Sequence, residues 1–111
     1  MPTLTPEDQI KNFVEQKRPK DLEIRKQIDL GYSWDGRTAI FFEIRPHWND
    51  PSIIRENPIA KIVFIKTTQI WKLYWMRSTG KWESYMPKKE AKTIKTLLSA
   101  IQEDKFRLFF G

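Results

Sequence analysis

Apolar and polar positions along this chain change period several times, and each change marks an element. Thr5-Pro6-Glu7-Asp8 has the chemistry of a helix start: a hydroxyl to cap, a proline at the first helical position and acids in the first turn. Ile10, Phe13 and Val14 follow as an apolar stripe, Lys17 and Arg18 suit the negative helix end, and Pro19 terminates a helix predicted over roughly residues 6 to 18. From Leu22 to Tyr32 the period becomes two. Leu22, Ile24, Ile28, Leu30 and Tyr32 fall on one side and Glu23, Arg25, Gln27 and Asp29 on the other, the pattern of a half-buried strand. After a turn at Asp35-Gly36, Ile40, Phe42 and Ile44 alternate with Phe41, Glu43 and Arg45 in a second strand, completing a hairpin.

The register of that hairpin follows from placing both apolar sets on one face. A two-residue loop would set Ile28 against Glu43 and bury a carboxylate. A three-residue loop, Trp34-Asp35-Gly36 with Gly36 at positive φ, pairs Leu30 with Ile40 and Ile28 with Phe42, and is preferred. The opposite face then pairs Asp29 with Phe41, Gln27 with Glu43 and Arg25 with Arg45.

Residues 46 to 58 carry Pro46, Pro51 and Pro58 with little periodicity and are predicted as the longest loop, with Ile53-Ile54 as a short anchor. Ala60 to Thr67 and Ile70 to Arg77, both rich in β-branched and aromatic residues, form a second hairpin around Thr68-Gln69. Ser78-Thr79-Gly80 turns the chain into a short fifth strand, Lys81 to Met86. Pro87 then opens a second helix in which Ile94, Leu97, Leu98 and Ile101 recur at helical spacing. The tail from Phe106 to Phe110 is too apolar to stay in water and packs on the core or on a partner. The expected architecture is helix, five-stranded mostly antiparallel meander, helix: a two-layer α+β sandwich with both helices on one face, forming a single domain over residues 1–111.

Charge adds the first functional hint. Residues 60 to 95 carry nine Lys and Arg against two Glu, while the flanking segments are nearly balanced, so this third of the chain accounts for the net charge of +6. The same segment holds Trp71, Trp75 and Trp82 with Phe64, Tyr74 and Tyr85, and basic, aromatic-rich surface suits an anionic partner, most often nucleic acid. On the open sheet face the predicted register places Arg25, Arg45, Lys61 and Lys72, with Phe41 and Tyr74 as platforms on which bases stack while cations neutralise phosphates. Trp71, Leu73 and Trp75 share strand parity and belong to the core. Lys88, Lys89 and Lys92 fall in the first turns of the predicted second helix, where the dipole disfavours cations and free backbone N–H groups favour phosphate, and Lys95 lies with them on its polar side.

Other chemistry is thinner. Asp29 and Glu43 lie diagonally on one face in the preferred register, a pair of oxygen ligands for a divalent cation. An Asp on one strand followed by Glu-x-Lys on the next is similar to the pattern of a large class of metal-dependent nucleases. Here Arg45 replaces the lysine, no Pro-Asp pair precedes the first acid, and a strand follows where a helix belongs; Arg25 and Arg45 also stand ready to neutralise both acids. His47, the single histidine, excludes a two-histidine metal site, but with Trp48, Asn49 and Asp50 it forms a candidate ligand loop. The chain has no cysteine and no glycine-rich phosphate loop, and no cofactor is implied. Its start lacks a basic, apolar leader and its longest apolar run, Ile62 to Ile65, is far short of a membrane span, which points to a cytoplasmic protein without membrane contact.

Taken together, Asp29-Leu30-Gly31-Tyr32, Phe42-Glu43-Ile44-Arg45-Pro46, Trp48, Asp50-Pro51, Ala60-Lys61, Trp71, Trp75, Arg77, Lys81-Trp82, Tyr85, Pro87 and Phe109-Phe110-Gly111 resemble a family of short bacterial proteins, domain of unknown function 3024. The likeness runs from about Leu22 to the end. It implies a bacterial source and one complete domain, and it brings no activity, substrate or cofactor. Three expectations remain: a non-enzymatic nucleic-acid-binding module, a protein-interaction subunit or homodimer docking through the apolar tail or an edge strand, and a metal-dependent nuclease.

Overall fold

A computed structural model of the protein describes residues 4–110; Gly111, the last residue of the family-like motif, lies outside them. Helix α1 spans Pro6–Lys17 and starts as its sequence dictates. The Thr5 hydroxyl accepts from the Asp8 N–H and the Asp8 carboxylate from the Thr5 N–H, so two donors without helical partners are satisfied reciprocally. Its stripe of Ile10, Phe13 and Val14 is buried, each side chain contributing about 1.5–3 kcal/mol.

The chain then departs from expectation. Residues Leu22–Arg25 form one helical turn, α2, capped by the Asp21 side chain on the Glu23 N–H, and the Arg25 guanidinium donates to the Pro19 carbonyl. Leu22 is 66% and Ile24 48% exposed, so neither belongs to a strand's buried face. Lys26 stands where the two-residue period demanded an apolar side chain, and the Asp21 cap outcompetes strand pairing there. Arg25 therefore leaves the sheet.

Strand β1 is confined to Asp29–Trp34 and pairs antiparallel with β2, Thr38–Pro46. Trp34 faces Ala39, Tyr32 faces Phe41 and Leu30 faces Glu43, which overturns the predicted register. The turn is set by Asp35, whose Oδ1 accepts from the N–H groups of Arg37 and Thr38 at 2.9 and 2.7 Å and whose pKa those bonds lower, Thr38 foremost. Gly36 takes φ 96°, the positive value expected of it. In this register Ala39 and Phe41, not Ile40 and Phe42, point to the core. Phe41 lies edge-on to Phe13 of α1, centroids 5.6 Å apart, so it is core and not a stacking platform. Glu43 shares that inward parity but keeps 20% of its side chain in solvent and meets Arg45, so its carboxylate is never fully buried.

Strand β3, Ile54–Ile65, runs antiparallel to β2, and a bulge leaves Ile59 without a partner between the Phe41–Ala60 and Phe42–Pro58 pairs. Strand pairing thus replaces most of the predicted loop, and Ile53 and Ile54 are exposed instead of anchoring. Strand β4, Ile70–Met76, follows a turn in which Gln69 adopts φ 58°. Gly80, at φ 83°, reverses the chain into β5, Trp82–Ser84. A 3-10 turn at Met86–Lys88 and the two-residue β6, Glu90–Ala91, come next, both β5 and β6 lying along β4. The sheet order is β1-β2-β3-β4 with β5 and β6 sharing the far edge. Helix α3 spans only Ile94–Glu103 because Glu90–Ala91 is held by β4; Thr93 caps it, and Ile94, Leu97, Leu98 and Ile101 are buried as their spacing predicts.

Helices α1 and α3 cover one face. Beneath them Leu30, Ala39, Phe41, Ala60, Ile62, Trp71 and Leu73 form the core, with Trp34, Phe64 and Trp75 packed against it. The tail closes the end of this core. Asp104 caps α3 in the left-handed conformation, φ 43°, and its carboxylate accepts from the N–H groups of Phe109 and Phe110, which seats the Phe109 ring 4.8 Å from that of Tyr85. The apolar tail is thus largely used inside the molecule, with Phe106 left exposed. The radius of gyration, 14.5 Å, exceeds the ~13 Å of a compact chain of this length. Beyond Ile44 and below Ala60 no further strand among the described residues pairs with the β2–β3 ribbon.

Candidate functional site

The sheet face away from the helices carries a set of partly exposed aromatic, apolar and basic side chains. Strand parity puts Ile40, Phe42 and Ile44 of β2, Lys61, Val63 and Ile65 of β3, Ile70, Lys72, Tyr74 and Met76 of β4, and Trp82 of β5 on this face, all partly exposed. No helix covers it. Lys61 pairs directly with Tyr74, and its ammonium lies 4.9 Å from the Tyr74 ring centre and 5.0 Å from that of Trp82. One cation is therefore held between two partly exposed rings. Such contacts stabilise by about 0.5–1 kcal/mol where water reaches them.

The predicted cations divide around this face. Lys61, Lys72 and Tyr74 are where parity placed them. Arg45 is not: it shares the parity of Phe41 and Glu43, and its guanidinium bonds Glu43 at 3.0 Å. Lys88, Lys89 and Lys92 precede α3, so the helix N-terminus does not organise them, and only Lys95 sits in its first turn. Lys88 lines a cleft with Tyr85, Thr96 and Glu103, and Lys95 lines another with Phe13, Gln16 and Leu98; both border the helical layer. All four lysines are exposed.

Asp29 and Glu43 do not form the predicted same-face pair, because Asp29 stands opposite Ile44 and Glu43 opposite Leu30, in alternate parities. Both border a cleft of about 250 Å³ with Lys17, Pro19 and Phe110. Asp29 is fully engaged: its two oxygens accept from Arg18 Nε and Nη2 at 2.8 and 2.9 Å, and Oδ1 also accepts from the Leu30 N–H. The Arg18 hydrogen bonds, above all, hold its carboxyl below the usual range, and the same pairing raises the Arg18 guanidinium. Among the described residues no group of three acids or histidines converges as a metal site.

At the ribbon tip His47 Nδ1 accepts from the N–H groups of Asn49 and Asp50 at 3.1 and 3.2 Å, and Trp48 stacks on the imidazole, centroids 5.7 Å apart. Asp50 turns to Ser52, whose hydroxyl and N–H hold its pKa down. Three contributors escaped sequence reasoning. Phe42 reaches the open face only in the observed register, Trp82 sits on a strand too short for parity to read, and Arg55 belongs to the segment expected to be loop.

These features define a small α+β protein, a helix-backed antiparallel sheet whose other face is bare. The chain belongs to the family described as a domain of unknown function (DUF3024), whose family model matches residues 1–111. No curated protein and no solved structure matches it. No helix among the described residues is long and apolar enough to cross a membrane.

Proposed function

We propose that the protein is a non-enzymatic nucleic-acid-binding module whose bare sheet face receives a single strand. The observation that carries this reading is the Lys61 ammonium poised between the rings of Tyr74 and Trp82, with Lys72 and Phe42 on the same face. A base stacked on an aromatic ring contributes about 1–3 kcal/mol, more than the cation it displaces, and the lysine stem is long enough for the freed ammonium to turn to a phosphate. The test is fluorescence anisotropy of labelled single-stranded oligonucleotides at several salt concentrations. Saturable binding that weakens with salt is expected, and Tyr74→Ala and Trp82→Ala should each lower affinity about tenfold with the fold intact by circular dichroism. Failure of every oligonucleotide to bind at low salt would end this reading.

One observation favours a second reading. Ile40, Phe42, Ile44, Val63, Ile65, Ile70 and Met76 make the face more apolar than a phosphate-binding surface needs, and would suit a protein partner or a second copy of the chain. Association of that kind would survive high salt, and sedimentation of the isolated protein across concentrations separates it from strand binding.

A further inference from the structure

The tip of the β2–β3 ribbon has three features that folding does not explain. Arg45 and Arg55 stand directly opposite each other across the strands, where like charges destabilise a sheet. Glu43 offsets only Arg45; Arg55 has no carboxylate within ion-pair distance among the described residues. Trp48 is 87% exposed, although burial is the usual fate of an indole.

The loop that presents this ring is nevertheless ordered. His47 N–H donates to the Ile53 carbonyl at 2.7 Å, and His47 Nδ1 takes the two following N–H groups. With Nδ1 acting as acceptor, the ring proton of a neutral His47 sits on Nε2, leaving that edge a donor. The indole lies near-parallel to the imidazole, with centroids 5.7 Å apart, and most of its surface is open. Arg45, Pro46, His47, Trp48, Arg55 and Asn57 line a single open cleft of about 370 Å³. Its lining side chains bring the Arg55 guanidinium, the Arg45 guanidinium that also bonds Glu43, an imidazole and an amide, and its aromatic member is the Trp48 indole. An acidic peptide would satisfy the arginines and leave the indole unused; a nucleotide satisfies both, its phosphate on the guanidiniums and its base on the ring.

We infer that the ribbon tip is a nucleotide-binding site for one unit of a nucleic-acid strand, with Trp48 stacking on the base and Arg45 and Arg55 holding the adjacent phosphate. This rests on the nucleic-acid reading of the sheet face and extends it. Lys61 pairs with Ile40, five residues along β2 from Arg45, so the two contacts lie roughly 17 Å apart along the strands and project from opposite faces of the ribbon, and a strand joining them passes over the ribbon edge. A strand of several nucleotides is needed to reach both.

The experiment uses the full chain and a labelled oligothymidylate of roughly twenty nucleotides, longer than the ~4–16 that a single strand-binding fold covers. Trp48→Ala should weaken binding about tenfold and Trp48→Phe should restore most of it, while Arg55→Ala should lower the slope of log affinity against log salt by about 0.7. The tip is exposed, so the unfolding midpoint of each variant serves as a control that should not fall, and relief of the Arg45–Arg55 repulsion should leave Arg55→Ala at or above the parent. Parental binding by Trp48→Ala and Arg55→Ala, alongside a loss in Tyr74→Ala, would overturn the tip site and leave the sheet-face reading standing. Loss in Trp48→Ala with none in Tyr74→Ala would support the tip and remove the face. No binding by the parent protein would overturn both.

Discussion

Asp29 and Arg18 show how one ion pair ties two elements. The pair is part-buried and doubly hydrogen-bonded, with 17% and 27% of the side chains exposed, so it should count for more than an exposed surface pair. Because the folded state lowers the Asp29 pKa, the carboxylate contributes stability above its unfolded value near ~3.9, and that contribution is lost as pH falls through the lower folded value. Asp29→Asn should therefore be less stable than the parent by about 1–2 kcal/mol at neutral pH, with the difference closing in acid. Urea unfolding of both proteins at neutral pH and below pH ~4 measures it, and an unchanged difference in acid would separate the effect from charge. The same residue belongs to the nuclease-like pattern of two acids. Asp29 and Glu43 have the right identities, yet each is occupied by its own arginine.

At the level of elements, the C-terminal segment depends on one carboxylate. Asp104 ends α3 in the left-handed region and accepts from two N–H groups of the tail, placing Phe109 against Tyr85. Burial, first, and the nearby charges of Asp104 and Glu103 raise the pKa of the Tyr85 phenol, as expected where the tail closes over it. Asp104→Ala should cost about 3 kcal/mol through two lost hydrogen bonds and a strained backbone. Asp104→Gly relieves the strain and should recover roughly 1 kcal/mol of that loss. Equal unfolding midpoints for the two variants would show that backbone conformation plays no part.

Over the whole molecule, charge and layer architecture divide the lysines into two groups. Lys61 and Lys72 share the bare face with Tyr74 and Trp82, while Lys88 and Lys95 border the helical layer on the other side of the sheet. A strand lying on the face contacts the first group. Lys72→Ala should lower the slope of log affinity against log salt by about 0.7, and Lys95→Ala should leave it unchanged. Equal effects would mean that the net charge of +6 attracts nucleic acid without a defined path.

How much could be read beforehand depended on whether the deciding forces were local. The cap of α1 and its apolar stripe, the buried period of α3, the positive φ of Gly36 and the inward row of Trp71, Leu73 and Trp75 each follow from residues a few positions apart, and all were legible. Lys61, Lys72 and Tyr74 fall on the open face because, on β3 and β4, they take the parity opposite Ile62 and the inward row of Trp71, Leu73 and Trp75. The β1–β2 register was not legible, because β2 is apolar on both parities and only α1, packing Phe13 on Phe41, selects which set faces inward. That choice exposed Ile40 and Phe42 and moved Arg45 off the face. Pro87 began a 3-10 turn instead of a helix because Glu90 and Ala91 pair with Lys72 and Trp71, distant in the chain. The ribbon tip formed in a segment that read as loop, since its strands are held only by each other across residues 45 to 55. Local propensity names the elements, whereas register, facing and the company each side chain keeps are settled by contacts between distant segments, whose strength no short window of sequence contains.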